Sequence, residues 1–311
     1  MYAAKVDKIY TEGFIYKKSG WMCLGVIIIE ANAKINLTLD ILGKRTDGYH
    51  EVAMVMQSVG LHDTIRLEKI RQGIELTVDQ PGLAVDATNL AWRAARCLMD
   101  VHSIHEGVRI HIAKRIPIAA GLAGGSADAA GVLRGMNRLF GLGLSTEVLC
   151  ELGAQIGSDV PFCIRGGTMF ASGRGELLER LPDLPPVWVV LAKPPVSVST
   201  AWAYQSYDAA PAREHPDNPA MLAAIAAGRL EDVGRHLGNV LEAVTVQKYG
   251  EIARIRQWML ESGALAAMMS GSGPTVFSLS ADEETARRIA RNVSSHADAA
   301  VFVAQTVGRA D

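Results

Sequence analysis

Cysteine is scarce in this chain: four residues in 311, namely Cys23, Cys97, Cys150 and Cys163. None stands in a C-x-x-C pair or at metal-ligand spacing from a histidine, so neither a structural zinc site nor a dithiol redox centre is legible. The pattern reads instead as buried thiols in a reducing, cytoplasmic setting. An excess of either charge is missing too. Lys plus Arg number 31 against 33 Asp plus Glu, a formal net charge of -2. A dedicated nucleic-acid binder carries a basic surplus on at least one domain, so that class falls away, while a small basic pocket for a phosphorylated ligand stays open. Long apolar runs are absent. A membrane span needs about 18 such residues, and the best stretch, Leu24 to Ile29, ends at Glu30. The opening residues mix charges and aromatics without a hydrophobic h-region, which argues against a signal peptide. Nothing repeats at a period of about 20–50 residues, which excludes solenoids and propellers.

What is present is ample core material. Hydrophobic residues make up 49% and charged residues 21%, in a 33.3 kDa chain long enough for two ordinary domains. Residues 1–21 look detached: Lys5, Lys8, Lys17 and Lys18 fall on no sustained period, and Met22 is itself a candidate start. They are expected to form a mobile extension. From Val26 the pattern turns to strands, at Ile27 to Glu30, Ile35 to Leu42, Val52 to Val59, Thr64 to Ile70 and Ile74 to Val78. Asn89 to His102 changes to a helical period, with Leu90, Ala94, Cys97 and Leu98 on one face. Strand alternation returns at Val108, Ile110 and Ile112. A helix then carries Ala129, Val132, Leu133, Met136 and Phe140 on one face. Gly131 and Gly135 interrupt it, each unfavourable by about 1 kcal/mol relative to alanine, so its backbone is expected to lie very close to a neighbour. A further helix is expected over Thr146 to Ile156, with Ser145 as its N-cap.

Leu181 to Pro186, with its prolines, reads as a linker. It separates an N-terminal domain at 22–184 from a C-terminal domain at 185–311. The latter is expected to hold strands at Trp188–Ala192, Thr275–Leu279 and Ala300–Val307, with a helix at Glu283–Val293 among others. Strands mixed with interspersed helices give an α+β class.

The most unusual segment is Pro117-Ile118-Ala119-Ala120-Gly121-Leu122-Ala123-Gly124-Gly125-Ser126-Ala127, which runs into the Ala129 helix. Gly121, Gly124 and Gly125 permit positive φ and leave backbone N–H groups unobstructed. At a helix N-terminus such amides attract an anion, most often phosphate. Ser126 adds a hydroxyl for a phosphate oxygen or a metal ion. No Gly-Lys-Ser/Thr follows and G-x-G-x-x-G is absent, so neither the Walker A loop nor the dinucleotide fingerprint applies. On local sequence alone, a tight turn before a helix is the competing reading.

Three motifs in order carry a resemblance: Ala33-Lys34-Ile35-Asn36-Leu37, the glycine-rich loop above, and Met269-Ser270-Gly271-Ser272-Gly273-Pro274-Thr275. Together they resemble the GHMP kinase superfamily, from about Ile28 to the C-terminal strand. Arg45-x-Asp47-Gly48-Tyr49-His50 and Gly157-Ser158-Asp159-Val160-Pro161-Phe162 are most similar to its branch acting on 4-diphosphocytidyl-2-C-methyl-D-erythritol in non-mevalonate isoprenoid synthesis. The resemblance implies a ribosomal-S5-domain-2-like N-terminal domain, a ferredoxin-like C-terminal domain and a cleft between them. It implies ATP-dependent phosphorylation of the substrate's 2-hydroxyl, giving the 2-phosphate and ADP. It also implies Mg²⁺ accompanying ATP, and a cytoplasmic monomer or homodimer. A homoserine- or mevalonate-type kinase and a non-catalytic nucleotide-binding regulator are the alternatives.

Residue roles follow from the same resemblance. Asp159 is the expected catalytic base, where local sequence alone also allows a turn or cap aspartate. Lys34 sits in an otherwise apolar strand, where an unpaired ammonium is costly to bury. It is expected to pair with Asp159 and stabilise developing charge, although local sequence also allows a snorkelling edge lysine. Asn36, two residues on, shares its strand face and is expected to orient substrate. Tyr49 and His50 resemble the family's cytosine-recognition pair. Tyr204 lies where a second aromatic would stack, with Trp202 and Tyr207 as competitors. Gly271 and Gly273 are expected to help shape the substrate and phosphate pocket. The histidines outside this set, His62, His102, His105, His111, His215, His236 and His296, show no metal-ligand spacing, and no protein metal site is expected.

Overall fold

The computed structural model describes residues 25–210 and 214–309. The expected extension at 1–21, together with Met22 and Cys23, lies outside the described residues. The chain opens with a long antiparallel pair, β1 (Val26–Lys44) and β2 (His50–Ile70). The pattern suggests two shorter strands in each, because polar and small residues at 31–34 and 60–63 break the apolar alternation. Continuous pairing overrides that break, and bulges between Asn32 and Ala33, Asn36 and Thr38, and Ile41 and Gly43 absorb the irregularity. Next come β3 (Ile74–Val78), α1 (Leu90–Val101), β4 (Gly107–Ala113), α2 (Gly124–Leu139), α3 (Thr146–Ile156) and α4 (Val160–Arg165). The Asn89 side chain accepts from Ala91 N to cap α1, and Ser145 caps α3 by accepting from Val148 N. Then β5 (Thr168–Ser172) and β6 (Leu177–Arg180) extend the sheet from β2.

The second half runs β7 (Trp188–Lys193), α5 (Thr200–Asp208), α6 (Asn218–Ala226), α7 (Leu230–Arg235), β8 (Gly238–Asn239), α8 (Glu242–Lys248) and α9 (Gly250–Glu261). It ends with β9 (Ala266–Met269), β10 (Val276–Ser280), α10 (Glu283–His296) and β11 (Ala300–Gln305). The first sheet has the order β3-β4-β2-β1-β8, with β5 and β6 branching from β2; the second is an antiparallel sheet ordered β11-β7-β10-β9. The strand β8 comes from the second half of the chain yet pairs in parallel with β1 at Thr38 and Leu39. Apolar packing crosses between the halves as well: Leu39, Met54 and Phe162 share one core with Val190, Ile252 and Ile289.

Helix α2 is the keystone of the first half. Its buried face includes Ala129, Val132, Leu133 and Met136, and it lies on β1 and β2. A Cβ at Gly131 would stand 2.4 Å from Ile65 Cδ1, and one at Gly135 would stand 2.5 Å from Leu67 Cδ1. The two helix glycines are therefore where the backbone approaches the sheet, and that approach sets the position of the α2 N-terminus.

Candidate functional site

Several pieces of chain meet around a cleft of about 1080 Å³. Among them are the middle of β1, the β1–β2 hairpin, the glycine-rich segment entering α2, the turn before α4, helix α5, and the loop joining β9 to β10.

Lys34 is buried at 5% exposure in the interior of β1. Its Nζ donates to Asn36 Oδ1 at 2.7 Å and to the Gly121 carbonyl at 3.4 Å, and stands 3.8 Å from Asp159 Oδ2. Strand geometry explains the first contact, since residues two apart share a face. Asn36 is fully buried and directs its Nδ2 toward Met54 Sδ at 3.2 Å. Asp159 occupies the N-cap position of α4 but makes no capping hydrogen bond. Its carboxylate is about one-third exposed toward the cleft. The local reading of Asp159 as a cap thus meets a side chain that caps nothing and faces a buried ammonium.

The glycine-rich loop takes left-handed backbone at Ala119, Gly121 and Ala123. Only the middle position carries glycine, and packing there requires one: a Cβ on Gly121 would stand 2.2 Å from the Ser270 carbonyl oxygen. The third motif supplies that oxygen, and Ser270 Oγ also donates to the Gly121 carbonyl at 3.0 Å. The two glycine loops are therefore clamped together above Lys34. The N-cap of α2 is Ala123, which offers no side-chain acceptor. The amides of the first turn thus open onto the cleft beside the Ser126 hydroxyl, an arrangement suited to phosphate oxygens. Pro117, Ile118, Ala119, Ala120, Gly121, Ala123, Gly124, Gly125 and Ser126 line the cleft. Leu122 and Ala127, expected in the same set, instead sit in the core at 1% exposure each. The loop's turns point those two side chains away from the cleft. Gly271 and Gly273 line it from the opposite side.

Beneath the loop lies a buried ionic cluster that motif reading misses. Lys114 Nζ donates to Asp63 Oδ2 at 2.5 Å and to Asp128 Oδ2 at 2.7 Å. Asp63 Oδ1 also accepts from the Arg115 and Ile116 amides, at 2.5 and 2.8 Å, which ties β2 to the loop entrance. Asp128 Oδ1 is buried with no partner among the described residues. Burial pushes the Asp128 carboxyl up to about 7 against the opposing pull of Lys114. Burial by itself would lower Lys114, but Asp128 and Asp63 outweigh it and hold the ammonium above the ordinary lysine range. The available signal was a lone aspartate within the small apolar run Ala127–Ala130.

At the far end of the cleft, Tyr49 is 55% exposed on the β1–β2 hairpin, with the Arg174 guanidinium 5.2 Å from its ring centre. His50 and Tyr204 lie in tilted ring contact, with centroids 4.9 Å apart. Of the three aromatics weighed on α5, Tyr204 lines the cleft. Trp202 packs edge-on against Tyr249 and under Lys248 instead. Cys97, Cys150 and Cys163 are free and partly buried; burial raises all three thiols. No described helix is long and apolar enough to cross a membrane.

The sequence pattern of the GHMP kinases N terminal domain matches residues 89–167, and that of the GHMP kinases C terminal region matches 221–299. The chain is 46% identical over 281 residues to a 4-diphosphocytidyl-2-C-methyl-D-erythritol kinase of Acetivibrio thermocellus, covering 90% of this chain and 99% of that one. It is 49% identical over 282 residues to the protein of the same name in Geobacillus thermodenitrificans, covering 90% and 97%. A crystal structure of a 4-(cytidine 5'-diphospho)-2C-methyl-D-erythritol kinase superposes with a TM-score of 0.78 at 32% identity, covering 91% of this chain and all of that one. A homoserine kinase from Cytophaga hutchinsonii shares the fold, with a TM-score of 0.75 at 18% identity over 96% of this chain and 98% of that one.

Proposed function

This chain belongs to the GHMP kinases, and within them to the 4-diphosphocytidyl-2-C-methyl-D-erythritol kinases, and from that premise we propose how its cleft carries out the transfer. ATP donates its γ-phosphoryl group to the 2-hydroxyl of 4-diphosphocytidyl-2-C-methyl-D-erythritol, giving the 2-phosphate and ADP. Phosphoryl transfer asks little covalent chemistry of a protein; it asks for alignment of the two oxygens, neutralisation of phosphate charge and an acceptor for one proton.

The observation that carries the reading is the Lys34–Asp159 pair, 3.8 Å apart, placed directly below the open N-terminus of α2. The α2 amides and Ser126 bind the phosphate chain. Asp159 accepts the hydrogen of the attacking 2-hydroxyl, a role that contributes about 10²–10⁴-fold. Lys34 has its Nζ fixed by Asn36 and Gly121, so its charge is already in place when negative charge builds on the transferred group. The cytidine end lies with Tyr49, His50 and Tyr204.

The donor set fits Mg²⁺ as ATP's companion. Among the described residues no three His, Cys, Asp or Glu side chains gather to hold a metal. The oxygens at hand, Ser126 Oγ and the Asp159 carboxylate, are hard donors of the kind this ion takes alongside phosphate and water. When bound, Mg²⁺ neutralises phosphate charge.

The test is ADP release with Mg-ATP on four acceptors: the cytidylyl substrate, the erythritol phosphate lacking cytidine, homoserine and mevalonate. Turnover confined to the first is expected, with Asp159→Asn and Lys34→Ala each losing activity by orders of magnitude at unchanged thermal stability. Comparable turnover on homoserine or mevalonate would overturn the cytidine pocket. Near-wild-type rates in either variant would remove that residue from the chemistry.

A further inference from the structure

Asp128 and Asp208 line the cleft but take no part in the transfer. Asp208 closes helix α5, one turn beyond Tyr204, so both side chains leave the same face of that helix. Both line the cleft. Asp208 Oδ1 stands 2.7 Å from His50 Nε2, and Oδ2 stands 3.4 Å from Lys44 Nζ. The imidazole is thus held twice from one helix, by the Tyr204 ring against its face and by the Asp208 carboxylate at its edge. His50 is nearly buried, its side chain 11% exposed, whereas Asp208 keeps 33%. Residues 50 and 208 are 158 positions apart, on the first strand pair and on a helix of the second half. No motif joins them.

Chemistry decides which way the hydrogen bond runs. A carboxylate only accepts, so the hydrogen between the two groups belongs to Nε2. The His50 hydrogen bond is also the leading reason that the Asp208 carboxyl lies below the usual carboxylate range, with burial opposing. In a neutral imidazole with its hydrogen on Nε2, Nδ1 keeps a bare lone pair. The two pyrimidines of ribonucleotides, cytosine and uracil, differ at one edge. Cytosine presents an exocyclic amine, a donor, where uracil presents a carbonyl oxygen, an acceptor.

We propose that Asp208 is a specificity-determining positioning residue: it holds the hydrogen of His50 on Nε2, so that Nδ1 accepts from the amine of cytosine and meets lone-pair repulsion from uracil. The proposal rests on the placement of the cytidine end at Tyr49 and His50. A desolvated polar group left facing the wrong partner is unfavourable by about 1–3 kcal/mol, or roughly 5- to 150-fold in kcat/KM.

The experiment compares the 4-diphosphocytidyl substrate with the same compound carrying uridine, on wild type, Asp208→Ala and Asp208→Asn. Wild type is expected to favour the cytidine compound by at least about 30-fold in kcat/KM, within the range above. Asp208→Ala should bring that ratio below about 3-fold, through KM for the base-bearing substrate, with KM for ATP unchanged. Asp208→Asn keeps a carbonyl acceptor for the Nε2 hydrogen and should recover most of the ratio. If Asp208 merely clasps the hairpin to α5, Asp208→Ala raises KM for both compounds equally and leaves the ratio intact, which overturns the proposal. Long-range ¹H–¹⁵N spectra of histidine-labelled wild type should show His50 with its hydrogen on Nε2; a hydrogen on Nδ1 would also overturn it. A wild type that uses both compounds equally would refute the cytidine placement itself. That outcome differs from discrimination that survives Asp208→Ala, which refutes only the role of Asp208.

Discussion

Gly121→Ala is the sharpest probe of the cleft, because a single methyl group enters the contact between its two glycine loops. Two penalties are separable. Gly121 has φ of +75°, where an L-residue is disfavoured by about 1–2 kcal/mol. The new Cβ would also stand 2.2 Å from the Ser270 carbonyl oxygen, and 3.1 Å from both Gly273 N and O. Real Cβ atoms essentially never come closer than 3.0 Å, so the loops must separate by roughly 1 Å, and a misplacement of about that size is worth about 10²-fold in rate. Separation also moves the Gly121 carbonyl away from Lys34 Nζ and Ser270 Oγ, both of which donate to it. The expected result is a kcat/KM for ATP reduced about 100-fold, with a melting temperature lowered by a few degrees. Gly73→Ala is the control: φ there is +81°, with open space around the would-be Cβ, so it carries the backbone penalty alone. Steady-state kinetics and thermal melts of both variants decide the matter. If Gly121→Ala retains wild-type kcat/KM, or if Gly73→Ala loses activity equally, contact between the loops is not what sets the cleft.

Other consequences can be checked independently. Lys114→Met leaves Asp63 and Asp128 as buried carboxylates without their ammonium, an imbalance worth about 3–5 kcal/mol; denaturant unfolding should show that loss, and an unchanged midpoint refutes it. Asp128 titrates near about 3.9 when unfolded but is pushed up to about 7 by burial in the fold. The native state therefore binds the extra proton between those values. The associated stability is fully present below the lower value and is lost as pH rises through the upper one. Wild type should accordingly lose melting temperature between about pH 4 and 7 relative to Asp128→Asn and level off above that, and parallel curves for the two would count against this. Gly131→Ala gains about 1 kcal/mol of helix propensity but forces a methyl to 2.4 Å from Ile65 Cδ1, for an overpacking penalty of about 1–3 kcal/mol. Removing that methyl with Ile65→Val should restore stability in the double variant, and simple additivity of the two changes would speak against the contact.

Local pattern carried much of the fold. The Ser145 cap, the Val108–Ile112 alternation and the close approach at Gly131 and Gly135 were all legible, because each depends on neighbours within a few residues or on the absence of a side chain. The continuity of β1 and β2 across residues 31–34 and 60–63 was not. Whether 31–34 stays extended depends on the partner strand and its bulges, and a single strand's alternation does not contain them. Short β5, β6, β8 and β9 were not legible either: their two to five residues lack the clean apolar–polar alternation that Ile74-Glu75-Leu76-Thr77-Val78 gives β3, and so do not separate strand from loop.

The chain's own order of residues determined the two glycine loops, the lone lysine in an apolar strand and the aspartate before Val160-Pro161. Those features are contiguous, and their chemistry is readable without a fold. Only the tertiary structure decided that Leu122 and Ala127 turn into the core, and that Tyr204 rather than Trp202 faces the cleft. It alone brought Asp63, Lys114 and Asp128 together beneath the loop, and Asp208 to His50. These groups lie from 14 to 158 positions apart. Charge pairing at about 3 Å is set by where strands and helices cross, a distance in space that separation along the chain does not encode.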